Sequence, residues 1–331
     1  MVEQLIDTDN LKKIAEEVIS REDVRLLIGY RKGTFGFRMR PAFVEEASDI
    51  GELEFTPACV NNLATYLTNY ERPPLPRGTT NDTRKVAVMV KGCDSRALLQ
   101  QMVELAYKRE DVIILGVPCN GVIDPAKVDK RFPDVAGPGD VKREGDNFVF
   151  SADGKTETVP AAEVIADKCT RCRYPTPLVY DELLAPEVER FADDTYADVV
   201  ELEKRASDEK WAYWEEKFSR CVRCYGCRNV CPMCYCDECI LDRSKPEWVR
   251  RSVDISENTA YHVSRAYHLA GRCIQCGECQ RVCPMDIPIM EMNRKFYKDV
   301  AEFYEYEPGT DAEEKPLLSI FSVDDKEDFI L

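Results

Sequence analysis

Two stretches of the chain repeat one ladder of cysteines: Cys221-x2-Cys224-x2-Cys227-x3-Cys231-Pro232 and Cys273-x2-Cys276-x2-Cys279-x3-Cys283-Pro284. Three thiolates at two-residue gaps wrap a loop around one iron–sulfur cubane. The fourth lies further on, where the proline shapes the chain's exit, and reaches the partner cluster. This assigns Cys221, Cys224, Cys227 and Cys283 to one 4Fe-4S cluster and Cys273, Cys276, Cys279 and Cys231 to a second. Structural zinc also uses paired C-x2-C, but it takes four ligands and has no use for a third cysteine and a following proline. Cys227-x3-Cys231-x2-Cys234 matches the spacing of radical-SAM enzymes, yet it sits inside the ferredoxin pattern and lacks an N-terminal barrel context. Cys234, Cys236 and Cys239, in CPMCYCDEC, stay unassigned among three roles: lining the first cluster, binding a further metal, or acting as small apolar residues. Cys59 is given no role.

A second constellation lies in the N-terminal half. Cys93, in KGCDSRAL, falls where an expected strand turns into a helix, a place where backbone N–H groups and the helix dipole favour an anion. Cys119, in GVPCNG, ends the next expected strand, so a parallel pairing brings both to one carboxyl edge. Cys169 and Cys172, in KCTRC, complete four thiolates, the number a third cubane needs. The alternative is that Cys93 and Cys119 are buried core cysteines and the C-x2-C pair is a zinc knuckle or has no ligand.

The elements that must position these residues read as follows. Residues 9–20 are expected to be helical, 24–30 a strand, and Gly33 and Gly36 a turn into a second strand of a hairpin. Residues 85–91 (KVAVMVK) form a buried-strand pattern, 97–108 a helix and 112–117 a further strand, together one βαβ unit. Proline- and glycine-rich stretches at 73–78 and 133–139 are loops. Residues 187–220 turn charged and helical, with Trp211, Trp214 and Phe218 on one face, as a helix packed between two domains. Between the cysteine ladders, 256–270 (SENTAYHVSRAYHLA) is a helix opened by a serine cap. His262 and His268 lie on it as packed or exposed histidines, not ligands. The tail from Gly309 is acidic, with an apolar patch at Leu317, Leu318, Ile320 and Phe321, and is expected to be solvated and mobile.

The helix before the second ladder resembles the α-helical ferredoxin family of heterodisulfide reductase and fumarate reductase subunits. GVPC followed by C-x2-C resembles the β subunits of the deazaflavin (F-420) hydrogenase and dehydrogenase family, which carry flavin and a 4Fe-4S cluster. GCDSRAL together with CVRCYGCRNVCPMCYC and CIQCGECQRVCP is also similar to the β subunits of sulfhydrogenases and to one of the subunits of anaerobic sulfite reductase. The likeness covers residues 86–289. Flavin or nicotinamide binding is implied by the resemblance alone, because G-x-G-x-x-G is absent.

The expected fold is mixed α+β and α/β: an α/β domain at 1–185 with the third cluster site, a connecting helical segment at 186–219, a mainly helical dicluster ferredoxin domain at 220–300 and an acidic tail at 301–331. The 331 residues, 44% hydrophobic, suffice for a buried core, and sixteen cysteines in a chain of this size point to metal ligands rather than disulfides. With 45 basic and 61 acidic residues, the net charge of −16 disfavours nucleic acid and anionic lipid, leaving protein partners. No basic, apolar leader opens the chain and no run approaches the roughly 20 apolar residues that span a bilayer, so a cytoplasmic location is expected. Thiolate-bound cubanes cover roughly −700 to +450 mV, and an acidic chain tends to the low end. The expected function is a non-catalytic electron-transfer subunit of an anaerobic oxidoreductase complex, with hydrogenase, formate dehydrogenase or heterodisulfide reductase subunits as the partners the resemblance implies. The alternative is a flavin-containing catalytic subunit that oxidises or reduces a deazaflavin or nicotinamide.

Overall fold

A computed structural model describes residues 6–69, 82–189 and 194–317. The loop expected at 73–78 and the patch residues Leu318, Ile320 and Phe321 lie outside them.

The chain opens on α1 (Thr8–Ile19), capped by the Asp7 carboxylate accepting from the Asp9 N–H at 3.0 Å. Its buried stripe, Leu11, Ile14, Ala15 and Val18, follows helical periodicity. β1 (Val24–Lys32) and β2 (Met39–Val44) form the expected antiparallel hairpin, pairing Leu27 with Val44 and Lys32 with Met39. α2 (Thr65–Asn69) follows. β3 (Lys85–Val90) leads into α3 (Gly92–Val103) and then β4 (Val112–Gly116), with Val88 beside Ile114 in a parallel ladder. The expected βαβ unit therefore forms, although its helix begins five residues earlier and stops five residues sooner than periodicity suggested. Val86 to Val90 and the whole of β4 are buried, as parallel strands covered on both faces must be.

After α4 (Pro125–Arg131) comes a unit that the sequence reading did not anticipate: an antiparallel sheet of β5 (Asp140–Glu144), β6 (Asn147–Ala152) and β7 (Lys155–Pro160). Asp153 and Gly154, both at positive φ, make the two-residue turn between β6 and β7, while Val141, Phe148, Phe150 and Val159 face the core. α5 (Ala161–Val164) precedes β8 (Glu182–Leu183), which completes a five-stranded sheet in the order β2-β1-β3-β4-β8.

The remainder is helical: α6 (Ala197–Glu203), α7 (Ser207–Ser219), α8 (Gly226–Asn229), α9 (Ile255–His268), α10 (Glu278–Arg281) and α11 (Ile289–Tyr304). α7 packs on α9 rather than sitting between the sheets and the later helices. Its Phe218 stacks on the buried His262 ring at 4.7 Å and on Trp214 at 5.3 Å. Trp211 departs from the expected apolar face and is exposed. α9 starts after Asp254, so Ser256 lies inside the helix and is not its cap.

The helical part is fastened to the sheet through α3. The Arg96 guanidinium donates to Ile274 O at 3.3 Å and Pro308 O at 2.7 Å, and the Gln101 amide donates to Pro232 O at 2.7 Å. Ile274 and Cys276, from the second ladder, are buried in the same apolar core as the sheet. At the start of α3, a Cβ on Gly92 would fall 1.7 Å from Tyr174 O, so only glycine lets the segment after Cys172 lie against the helix. Gly92→Ala is therefore expected to cost about 2 kcal/mol or more, read as a fall of several degrees in Tm by anaerobic circular dichroism. An unchanged Tm would show that this approach is not under constraint.

Candidate metal centres

The two cysteine ladders adopt the same backbone trace. Arg223 and Tyr225 in the first have φ of 54° and 59°, and Gln275 and Gly277, at the equivalent positions of the second, have 57° and 73°. Left-handed residues alternating with ordinary ones turn successive N–H groups toward one side, the concavity that receives anions and iron–sulfur groups. Each loop then enters a four-residue helix, α8 or α10, carrying the third cysteine, and these two helices pack together.

The two loops lie close to one another. Burial raises the Cys221 thiol's pKa, and the nearby Cys227 and Cys283 raise it further. The Cys224 sulfur and the side chain of Val282, next to Cys283, both lie 3.6 Å from where a Gly226 Cβ would stand. Cys231 lies near the second ladder: after burial, its charge helps to raise Cys273 to about 11 and Cys279 to about 12, and it also raises Cys276. Donors approach the sulfurs, including the Ile287 N–H to Cys283 at 3.5 Å and the Asn293 amide to Cys279 at 3.7 Å. Such contacts stabilise charge on sulfur.

Cys93, Cys119, Cys169 and Cys172 line one cavity of about 70 Å³. Cys93 is in the first turn of α3, Cys119 follows β4, and the C-x2-C pair stands on a short turn at Asp167–Arg171 and its exit. The Cys119 N–H donates to Pro175 O at 2.9 Å and the Val122 N–H donates to the Cys169 sulfur at 3.4 Å. Burial pushes the Cys119 thiol up to about 12, with Cys169 adding to it, and burial raises Cys93 and Cys172 as well.

Sequence reasoning missed the cations around these thiols. Lys168 lies on the walls of this cavity, and its buried Nζ has no hydrogen-bond partner; the nearest carboxylate, Glu278, is 3.9 Å away. Burial opposes its charge, but Cys93, Glu278, Cys169 and Cys276 outweigh that and raise its pKa. An unpartnered ammonium beside four thiols fits an anionic group bound among them. Beneath Cys93, buried Lys91 pairs with Asp94 at 2.8 Å. Arg265, only 3% exposed, reaches Cys227 O at 3.0 Å and is close to Cys231, Cys234 and Cys279. A signal was present for Lys168 and Lys91, since each stands within two residues of a candidate ligand in KCTRC and KGCDSRAL.

Cys59 is buried in the sheet core and its thiol is pushed up to about 12 by burial, away from the other cysteines' cavities. His262 is packed and His268 exposed. Among the described residues, no three Cys, His, Asp or Glu side chains converge as tightly as a single metal ion requires.

Comparison with known proteins gives the class first. Residues 220–288 match the 4Fe-4S dicluster domain family, so an iron–sulfur domain occupies the C-terminal part. More particular likenesses extend over most of the chain. It is 24% identical over 294 residues to the F420-dependent formate dehydrogenase subunit beta of Methanocaldococcus jannaschii, covering 72% of this chain and 77% of that one. It is 26% identical over 295 residues to the F420-dependent formate dehydrogenase 1 subunit beta of Methanococcus maripaludis, covering 71% and 75%. A chain of the F420-reducing [NiFe] hydrogenase complex of Methanosarcina barkeri overlaps 53% of this chain and 60% of its own length, at 16% identity and a TM-score of 0.38. The iron–sulfur β-subunit resemblance drawn from the cysteine motifs is borne out.

One buried ion pair locks the second ladder in place. Arg294, on α11, is 1% exposed in its side chain and holds Asp194 at 2.5 Å, Asp198 at 2.7 Å and the Gln275 side-chain oxygen at 2.6 Å. Burial pushes the Asp194 carboxyl up, but the hydrogen bonds from Arg294 outweigh it and leave the pKa lowered. The stabilisation is thus present above the unfolded value of roughly 4 and is lost as pH falls through the lower folded one. Arg294→Ala should cost about 3 kcal/mol at neutral pH and flatten the acid limb of stability against pH. Equal acid limbs in the two proteins would place the pair's contribution near zero.

Proposed function

We propose that the chain is an electron-relay subunit of an oxidoreductase complex, holding three 4Fe-4S clusters in a line. Cys93, Cys119, Cys169 and Cys172 hold one; Cys273, Cys276, Cys279 and Cys231 hold the next; Cys221, Cys224, Cys227 and Cys283 hold the last. The observation that carries this reading is the cavity of the first four thiols, whose wall also includes Ile274 and Gln275 of the second ladder. Lys168 is close to Cys93, Cys169 and Cys276, and Arg265 is close to Cys227, Cys231, Cys234 and Cys279. Each site therefore adjoins the next, as a wire of one-electron carriers needs, with the protein setting position and potential rather than breaking substrate bonds.

When bound, the clusters supply the one-electron chemistry. The chain's own residues exclude water, donate N–H bonds to sulfur and place cations beside it. The division proposed is an α/β domain at 1–185, a connecting segment at 186–219, a helical dicluster domain at 220–300 and a tail at 301–331. The formate dehydrogenase relatives support partner subunits that carry formate and deazaflavin chemistry at the two ends of the relay, in the cytoplasm. Among the described residues no helix is long and apolar enough to cross a membrane.

Anaerobically purified Cys93→Ser/Cys119→Ser protein should contain about four fewer iron and four fewer sulfide ions per chain than wild type, with the other clusters' EPR signals kept. Equal metal content would remove the N-terminal cluster from the scheme. Cys231→Ser should alter the cluster nested in the second ladder; damage confined to the first would overturn the exchange of fourth ligands. A flavin absorption band with turnover of a two-electron donor would favour a catalytic subunit instead.

A further inference from the structure

The cysteines left over from the two ladders are gathered too. Cys234, Cys236 and Cys239 line a cavity of about 330 Å³ together with His268, the last residue of α9. Cys236 is exposed, so it is not an apolar core residue held for its volume, while Cys239 is half-exposed and touches the helical core. Three arginines wall the same space. Arg228 is anchored by Asp242 at 2.7 Å and Arg272 by Glu104 at 2.5 Å, while the Nε of buried Arg265 has no hydrogen-bond partner. Arg228 and Arg272 are thus already neutralised, the former by Asp242 on the same wall, whereas a buried guanidinium nitrogen without a partner is costly and suits an anionic group nearby.

The backbone argues in the same direction. Between Asn229 and Ile255 the chain has one short turn, Ile240–Asp242, and no longer helix or strand. An irregular stretch of that length is uncommon inside a compact fold unless something other than its backbone hydrogen bonds fixes it. Here Met233, Leu241 and Val249 are buried, so the segment is held and not loose. The space also exceeds what one ion fills: a water-sized occupant takes about 30 Å³, and a single zinc needs its donors about 2.3 Å from one point.

We propose that Cys234, Cys236 and Cys239, with His268 as the fourth donor, hold an additional iron–sulfur cluster. Imidazole replaces thiolate on iron in some iron–sulfur centres, so the donor set is chemically sound. Cys234 touches Cys231, which places the new cluster next to the one nested in the second ladder. The two exchange single electrons, one being reduced as the other is oxidised. Exposure of Cys236 and His268 puts this cluster at the protein surface, where a partner can reach it.

The test is iron, sulfide and zinc analysis with EPR on full-length, anaerobically purified Cys236→Ala/Cys239→Ala protein, which leaves Cys231 and Cys234 intact. It should lose about four iron and four sulfide ions per chain against wild type and one reducible EPR component, while the ladder clusters remain. Unchanged iron and sulfide would overturn the proposal, as would loss of one zinc with iron retained. Should the double variant fail to fold, Cys236→Ser, at an exposed position, gives the same two readings. Iron-free wild type would defeat the relay itself, whereas iron-loaded wild type with an equally loaded variant defeats only this fourth site.

Discussion

Negative charge on buried sulfur is the constraint that organises this molecule. A thiolate taken out of water is unfavourable unless cations and N–H groups replace the solvent, and burial lifts Cys93, Cys119, Cys273, Cys276 and Cys279 well above the ordinary thiol range. The compensation comes from Lys168, on the turn that carries the C-x2-C pair, and from Arg265, on α9; further arginines seat the second ladder. Arg96, Arg272 and Arg294 reach that ladder from α3, from its own first turn and from α11 respectively. Metal binding and folding are coupled here, because the thiols that must deprotonate are the ones that the fold buries.

The second ladder is therefore the junction of the whole structure. Its Ile274 and Cys276 belong to the sheet's apolar core, its Gln275 accepts from Arg294, and its backbone carbonyl at Ile274 accepts from Arg96. The first ladder is attached more peripherally, through Gln101 to Pro232 and through Thr65 to Val230 O at 3.1 Å. This asymmetry explains why the cavity of the N-terminal thiols opens onto the second ladder and not onto the first.

Much of this was readable from residue order, for identifiable reasons. Runs rich in β-branched residues betrayed β3 and β4, and strict cysteine spacing marked out the dicluster region, because both are local patterns with one physical solution. The early start of α3 was missed because Gly92 is a poor helix former that is kept for the approach of Tyr174. The β5–β7 sheet escaped because its strands are short and the two outer ones are charged, although Asp153-Gly154 is a strong hairpin signal. Trp211 was misplaced because three aromatics at helical spacing do not say how wide the covered stripe is. Lys168 was overlooked although it stands beside Cys169, whereas Arg265 and Arg294 were invisible, since their partners lie far along the chain and only the fold makes them neighbours. The cavity at Cys234, Cys236 and Cys239 was left open for the same reason.

The proposed relay requires clusters that sit side by side in one chain. EPR of the anaerobically purified protein during stepwise reduction tests it most directly. Several one-electron components are expected, with lines that broaden and split as neighbouring clusters become paramagnetic together. A spectrum that remains the plain sum of isolated clusters at full reduction, or a protein with no iron, would contradict it.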